Sequence, residues 1–117
     1  MKHLLSIFAL ILTLSNITAQ ESKTTLAVLD FEGRGINTLE AATLTDRFTS
    51  EIGKTESMVL VDRNMVEEIL TEQGFQQSGC TTDECAVEVG AMLGVQFMIS
   101  GAIGKLGDTF TIDAKMV

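Results

Sequence analysis

Proline, tryptophan and tyrosine do not occur among the 117 residues, and histidine occurs once, as His3. Without proline, no helix or strand is interrupted by a missing backbone N–H. Breaks must come from glycine and from short polar residues. With its one histidine near the N-terminus, the body of the chain lacks the base of a Ser-His-Asp or Cys-His arrangement. Two cysteines, Cys80 and Cys85, leave a four-ligand zinc site short. We assign no catalytic, cofactor-binding or metal-binding residue, and expect no enzyme. Positive charge is scarce as well: eight basic residues face 16 acidic ones, for a net charge of −8. Such a surface repels phosphate backbones and anionic lipid, so nucleic acid is not an expected partner.

The chain opens on Lys2 and His3, followed by a largely apolar run of 11 residues, Leu4 to Leu14, and then by Ser15, Asn16, Thr18 and Ala19. A charged start, a short apolar middle and a small-residue end together describe a secretory signal peptide. The run is too short to span a bilayer, which takes about 20 apolar residues. Residues 1–19 are the expected leader, with cleavage after Ala19. Residues 20–117 are then one exported domain, which is enough chain for one core. Cleavage removes Lys2 and no acidic residue, moving the net charge from −8 to −9. Periplasmic or secreted placement, with outer-membrane association, is the expected localisation. The last strand runs to Val117 without a linker, so a piece or a short relative of a longer protein is expected.

TTLAVLDF, Thr24 to Phe31, is β-rich and apolar at its centre and predicts a buried strand. EGRGIN, Glu32 to Asn37, predicts a loop. A helix is expected over about 38–54, capped by Asn37 with Glu40 three residues on, and burying Ala41, Leu44, Phe48 and Ile52. Met58 to Val61 predicts a strand. Asp62 then caps a helix from Arg63 to Gln73 with Met65, Val66, Ile69 and Leu70 inward and Gly74 closing it. A loop at 76–80 leads to a capping box of Thr81 and Glu84 and a helix to Leu93, with Cys85, Val89, Met92 and Leu93 inward. Gln96 to Gly104 predicts a strand, Lys105 to Asp108 a turn, and Thr109 to Met116 an alternating strand. The order β-α-β-α-α-β-β predicts an α/β fold: a mixed sheet of about four strands with helices packed on it.

Four pieces carry a resemblance: LAVLDFEGRGI (26–36), VLVDRNMVEEILTEQGFQQSGC (59–80), TTDECAVEVGAMLGVQFMISGAI (81–103) and GDTFTIDAKMV (107–117). In this order they resemble the CsgG family of envelope proteins, which includes the curli secretion component. The fold of that family is similar to the penicillin-binding-protein activator LpoB and the N-terminal domain of TolB. The resemblance covers the chain after its leader and is most specific at Val61 to Arg63, Glu72 to Cys80 and Glu84 to Gly101. It implies a periplasmic protein-binding α/β domain without a cofactor, with envelope proteins as partners. The family's lipidated cysteine has no counterpart, because residues 1 to 79 contain no cysteine; no lipid anchor is expected. No membrane span is expected in the mature chain either, so pore formation is not carried over.

Cys80 and Cys85 are expected to form a disulfide in an oxidising compartment. Five residues apart on one helix they would be too distant, so Cys80 must fold back from the loop. The alternative, a redox-active pair, has the wrong spacing for a C-x-x-C motif. Gly33-Arg34-Gly35 between strand and helix suggests a phosphate loop, but Thr38 stands where a third glycine is needed and Asp30 and Glu32 flank it. Asp30, Glu32 and Asp62 lie at strand ends and could meet. Arg63 is a candidate interaction residue for a partner carboxylate; its local expectation is an exposed first turn and a pair with Glu67. The final strand, at a sheet edge, invites pairing with another chain, including self-association. The functions expected are secretion or outer-membrane assembly accessory, activator of a peptidoglycan synthase, or thiol-disulfide redox protein.

Overall fold

A computed structural model describes residues 22–75, 80 and 82–117, together with His3. The rest of the expected leader, residues 76–79 and Thr81 lie outside the described residues. Eight elements are described: β1 (Thr25–Val28), β2 (Glu32–Arg34), α1 (Thr38–Lys54), β3 (Val59–Leu60), α2 (Arg63–Glu72), α3 (Asp83–Leu93), β4 (Phe97–Leu106) and β5 (Thr109–Met116). The fold is the expected mixed α/β arrangement, with β2 as an additional strand inside the segment expected to be a loop.

β4 is the spine of the sheet. Its first half pairs in parallel with β1 and its second half with β2, while β5 pairs antiparallel along its other edge. β3 adds to the outer side of β1 in parallel. Gln96 and Thr25 clasp the start of β4 to β1 through two side-chain hydrogen bonds of 2.9 and 3.1 Å. β1 and β2 form one interrupted strand. Val28 lies opposite Ile99 and Glu32 opposite Ala102, so three residues (29–31) face two (100–101). That is a bulge, and the extra residue reverses the side-chain alternation.

The reversal decides the core. Leu26, Ala27, Val28 and Leu29 are all at most 1% exposed, because the sheet is covered on both faces. Ala27 and Leu29 pack with Val66, Leu70, Ala86, Val89 and Met98 beneath α2 and α3. Leu26, Val28, Ile99 and Ile103 pack beneath α1 with Phe48 and Ile52. Phe31 would follow Ala27 and Leu29 by simple alternation. The bulge turns it to the α1 side instead, where its ring centroid lies 5.1 Å from that of Phe48.

The helix ends follow local chemistry. The Asn37 carboxamide oxygen accepts from Glu40 N while the Glu40 carboxylate accepts from Asn37 N. Asp62 accepts from Asn64 N at the start of α2. Gly74 takes φ +75, and Gly74 N and Phe75 N donate to Thr71 O and Leu70 O, which closes α2. The cap of α3 is Thr82, whose hydroxyl accepts from Cys85 N, one residue beyond the expected Thr81. Three helix faces also differ from expectation. Leu44, Met65 and Met92 are exposed, while Thr45, Ala86 and Gly90 are buried. A side chain at Gly90 would run into Met98, so α3 approaches β4 more closely than an apolar stripe suggests.

Thr45 is 0% exposed and sits under the bulge. Its hydroxyl accepts from Phe31 N at 3.0 Å and donates to Ala41 O at 2.7 Å. Thr45→Val keeps the shape and leaves the Phe31 N–H buried without a partner. The expected cost is about 1–3 kcal/mol of stability. Urea unfolding measures it, and an unchanged midpoint would remove the bond from the account of the bulge.

Candidate functional site

The bulge that reverses Phe31 also brings Asp30 to Arg63. Arg63 opens α2, immediately after the Asp62 cap, and its guanidinium turns back over the end of β1. Nη2 pairs with the Asp30 carboxylate, Nη1 donates to Val28 O at 3.1 Å, and Nε donates to Asp46 of α1 at 3.0 Å. The Arg63 and Asp30 side chains are 23% and 15% exposed. Burial lowers the Arg63 pKa from its ordinary value and the Glu67 carboxylate opposes the shift; a guanidinium stays protonated regardless. One side chain therefore ties β1, α1 and α2 together. This corrects the expectation of an exposed first turn paired with Glu67: the guanidinium fork already faces two carboxylates and a backbone carbonyl.

The other acidic candidates do not converge. Asp30 is held by Arg63, Asp62 caps α2, and Glu32 pairs with Arg34 at 3.5 Å. Gly33 and Arg34 lie in β2, paired with Ile103 and Gly104, so this stretch is strand and not a phosphate-cradling loop. Gly35 follows at φ +77. Beyond the reach of α2 and α3, this face of the sheet carries a groove of about 410 Å³ lined by Asp30, Glu32, Arg34, Ser100, Asp113 and Lys115. Its charges are mixed, and no group of three metal-ligating side chains occurs among the described residues. Cys80 and Cys85 are bonded, with Cα atoms 5.5 Å apart, and Cys80 is 2% exposed within the core under α2 and α3. Cys80 is buried and Cys85 half-buried, and each sulfur is bonded to the other, which is not the exposed setting of a reactive thiol.

Among the described residues, β5 pairs on one side alone, with β4. Every residue of the strand is exposed, and Phe110, Ile112 and Met116 stand at 55%, 56% and 48%. Their register partners Lys105, Ile103 and Ile99 place them on the α1 side of the sheet, beyond the helix itself. The opposite face of β5 carries Thr109, Thr111, Asp113 and Lys115, with Lys115 paired to Asp83 at the start of α3.

A family model described as the curli production assembly/transport component CsgG matches residues 8–112. The chain belongs to the CsgG family. A search of curated proteins finds no match. Among solved structures, the LpoB C-terminal domain from Escherichia coli has a TM-score of 0.66 at 12% identity, covering 93% of this chain and 82% of that one. The NMR structure of E. coli LpoB gives 0.69 at 14% identity over 84% of this chain and 51% of that one. A lipoprotein from Neisseria meningitidis gives 0.60 at 14% identity, covering 80% and 66%. Identities this low establish shared fold. No helix among the described residues is long and apolar enough to cross a membrane.

In this CsgG-family domain, the VDR junction is the place where the Arg63 clamp forms. Sequence reading singled out Arg63 and missed Asp46 and Thr45, which look like ordinary polar positions on α1. The signal for Thr45 is weak but present: it falls between Ala41 and Phe48 on the helical face. Arg63→Met leaves Asp30 partly buried without its cation and should cost about 2–3 kcal/mol, below the fully buried case because the pair is partly wet. Arg63→Lys should recover less than half, since one ammonium cannot replace the fork. Equal urea midpoints for Lys and Arg would refute the forked arrangement. Cys80→Ser with Cys85→Ser should cost about 2 kcal/mol by loop closure, read as the shift on adding reductant to wild type.

Proposed function

We propose that the chain is a non-catalytic protein-binding module of the bacterial envelope, an accessory of curli-type secretion or outer-membrane assembly. The observation that carries this reading is the open β5 edge. An eight-residue strand whose outer side meets no strand among the described residues, and which carries three half-exposed apolar side chains, offers both halves of a β-pairing interface. Membership of the CsgG family supplies the setting. A disulfide joining the only two cysteines is consistent with an oxidising compartment, and residues 1–19 have the layout of an export leader.

A second reading follows from the fold shared with LpoB, at TM-scores of 0.66 and 0.69: activation of a peptidoglycan synthase. Affinity capture from the envelope fraction, with wild type and an Ala114→Pro variant that blocks the β5 edge, separates the two. Secretion or outer-membrane assembly proteins retained by wild type and lost by the variant are the expected result. A synthase in their place selects the second reading. Protein whose N-terminal sequence begins at Met1, recovered from the cytosol, refutes both.

A further inference from the structure

We infer that β5 binds β5 of a second copy of this chain, antiparallel and in one register, with the two-fold axis passing through Ala114. The inference rests on the reading of β5 as the binding edge and names its occupant.

The direction of the free backbone groups follows from the hairpin. Met98 and Val117 exchange both backbone hydrogen bonds at 2.9 Å. In an antiparallel ladder such pairs alternate with non-bonded ones. Thr109, Thr111, Asp113, Lys115 and Val117 therefore point their N–H and C=O groups at β4. Phe110, Ile112, Ala114 and Met116 point theirs outward. Asp113 and Lys115 put charge on the strand, but two other usual protections of an edge, proline and a bulge, are missing from it. The chain has no proline, and the β4–β5 register runs from Ile99↔Met116 to Leu106↔Thr109 without a bulge. The far edge is formed by β3, with two residues, and β2, with three, and neither offers a ladder as long as that of β5.

A two-fold pairing must set outward-facing residues opposite one another, and the charges on β5 choose among the possible registers. Centred on Asp113, the pairing places that carboxylate against its own copy, which is repulsive. Centred on Ile112, it sets Asp113 against Thr111 and Lys115 against Thr109, leaving both charges without a cross-strand partner. Centred on Ala114, it sets Asp113 against the second copy's Lys115, twice by symmetry, so that each Lys115 lies between that carboxylate and Asp83 of its own chain, and it sets Ile112 against Met116, also twice. Both charge pairs then lie on the groove side and all four apolar side chains on the α1 side, next to Phe110. The small Ala114 occupies the axis. An isologous contact of this kind closes after two copies and gives a dimer.

The test is a charge swap on the full exported chain, read by sedimentation equilibrium, with circular dichroism confirming that each variant is folded. Wild type should show a monomer–dimer equilibrium. Asp113→Lys alone and Lys115→Asp alone each create two like-charge pairs and should weaken dimerisation by about tenfold. Mixed in equal amounts, the two variants regain complementary pairs at both positions and should associate as heterodimers near the wild-type strength. Hydrogen exchange should show protection of the Ile112, Ala114 and Met116 amides rising with concentration. Singles that dimerise like wild type, or a mixture that fails to associate, overturn the register. A strict monomer overturns self-pairing, and so does protection of these amides that does not vary with concentration. Envelope partners captured through β5 by a monomeric chain would still uphold the binding edge, so the two failures are distinguishable.

Discussion

Between Val28 and Glu32 the chain places three residues where β4 places two, and the extra one has to be accommodated. Its backbone cannot complete the ladder, so other groups complete it. Thr45 takes the Phe31 N–H, and Arg63 takes the Val28 carbonyl and the Asp30 carboxylate. Because Asp46 also binds Arg63, the repair draws α1 and α2 onto the same point from opposite faces of the sheet. Without it Phe31 would lie on the wrong face, and the α1 core would lose its contact with Phe48.

The bulge also sets the length of the sheet. By turning without ending, the first strand continues as β2 and supports the distal half of β4, which would otherwise project unpaired on that side. A supported β4 can in turn hold all of β5. Gly101 matters here, since a side chain at that position would collide with the Asp113 carbonyl of β5. The helices cover only the proximal half of the groove-side face, so the outer strand is left in solvent. The exposed edge is thus a consequence of how the buried strand is repaired.

The charged groups and the sulfurs of this arrangement are taken up in structural contacts. The charged groups that sequence brings near one another are held in structural pairs: Asp30 with Arg63, Asp62 at a helix start, Glu32 with Arg34. The sulfur atoms are bonded to each other, and Cys80 is buried. The groove has charges of both signs and no converging ligand set among the described residues. Apolar side chains and the outer strand edge coincide along β5, and the proposed recognition of another polypeptide strand rests on that coincidence.

Much of the fold was legible in local chemistry. The helix of Thr38–Lys54 announced itself through Asn37 and Glu40, that of Arg63–Glu72 through Asp62 and Gly74, and the hairpin through Gly107-Asp108, because caps and turns depend on residues within a few positions. The apolar helix faces were right in kind but wrong at Leu44, Met65 and Met92, where periodicity cannot say how far a neighbouring layer extends. β2 was invisible, since Glu-Gly-Arg has little strand propensity and pairs only because β4 lies alongside it. The destination of Arg63 was invisible for a related reason. Its partners lie 17 to 35 residues away, and which of Glu67, Asp46 and Asp30 it meets depends on how the bulge turns the chain. The sequence by itself determined the elements, their caps and the class of fold. Tertiary structure alone decided where the strand breaks, which face Phe31 takes and which edge stays open, because those depend on pairings between segments far apart in the chain.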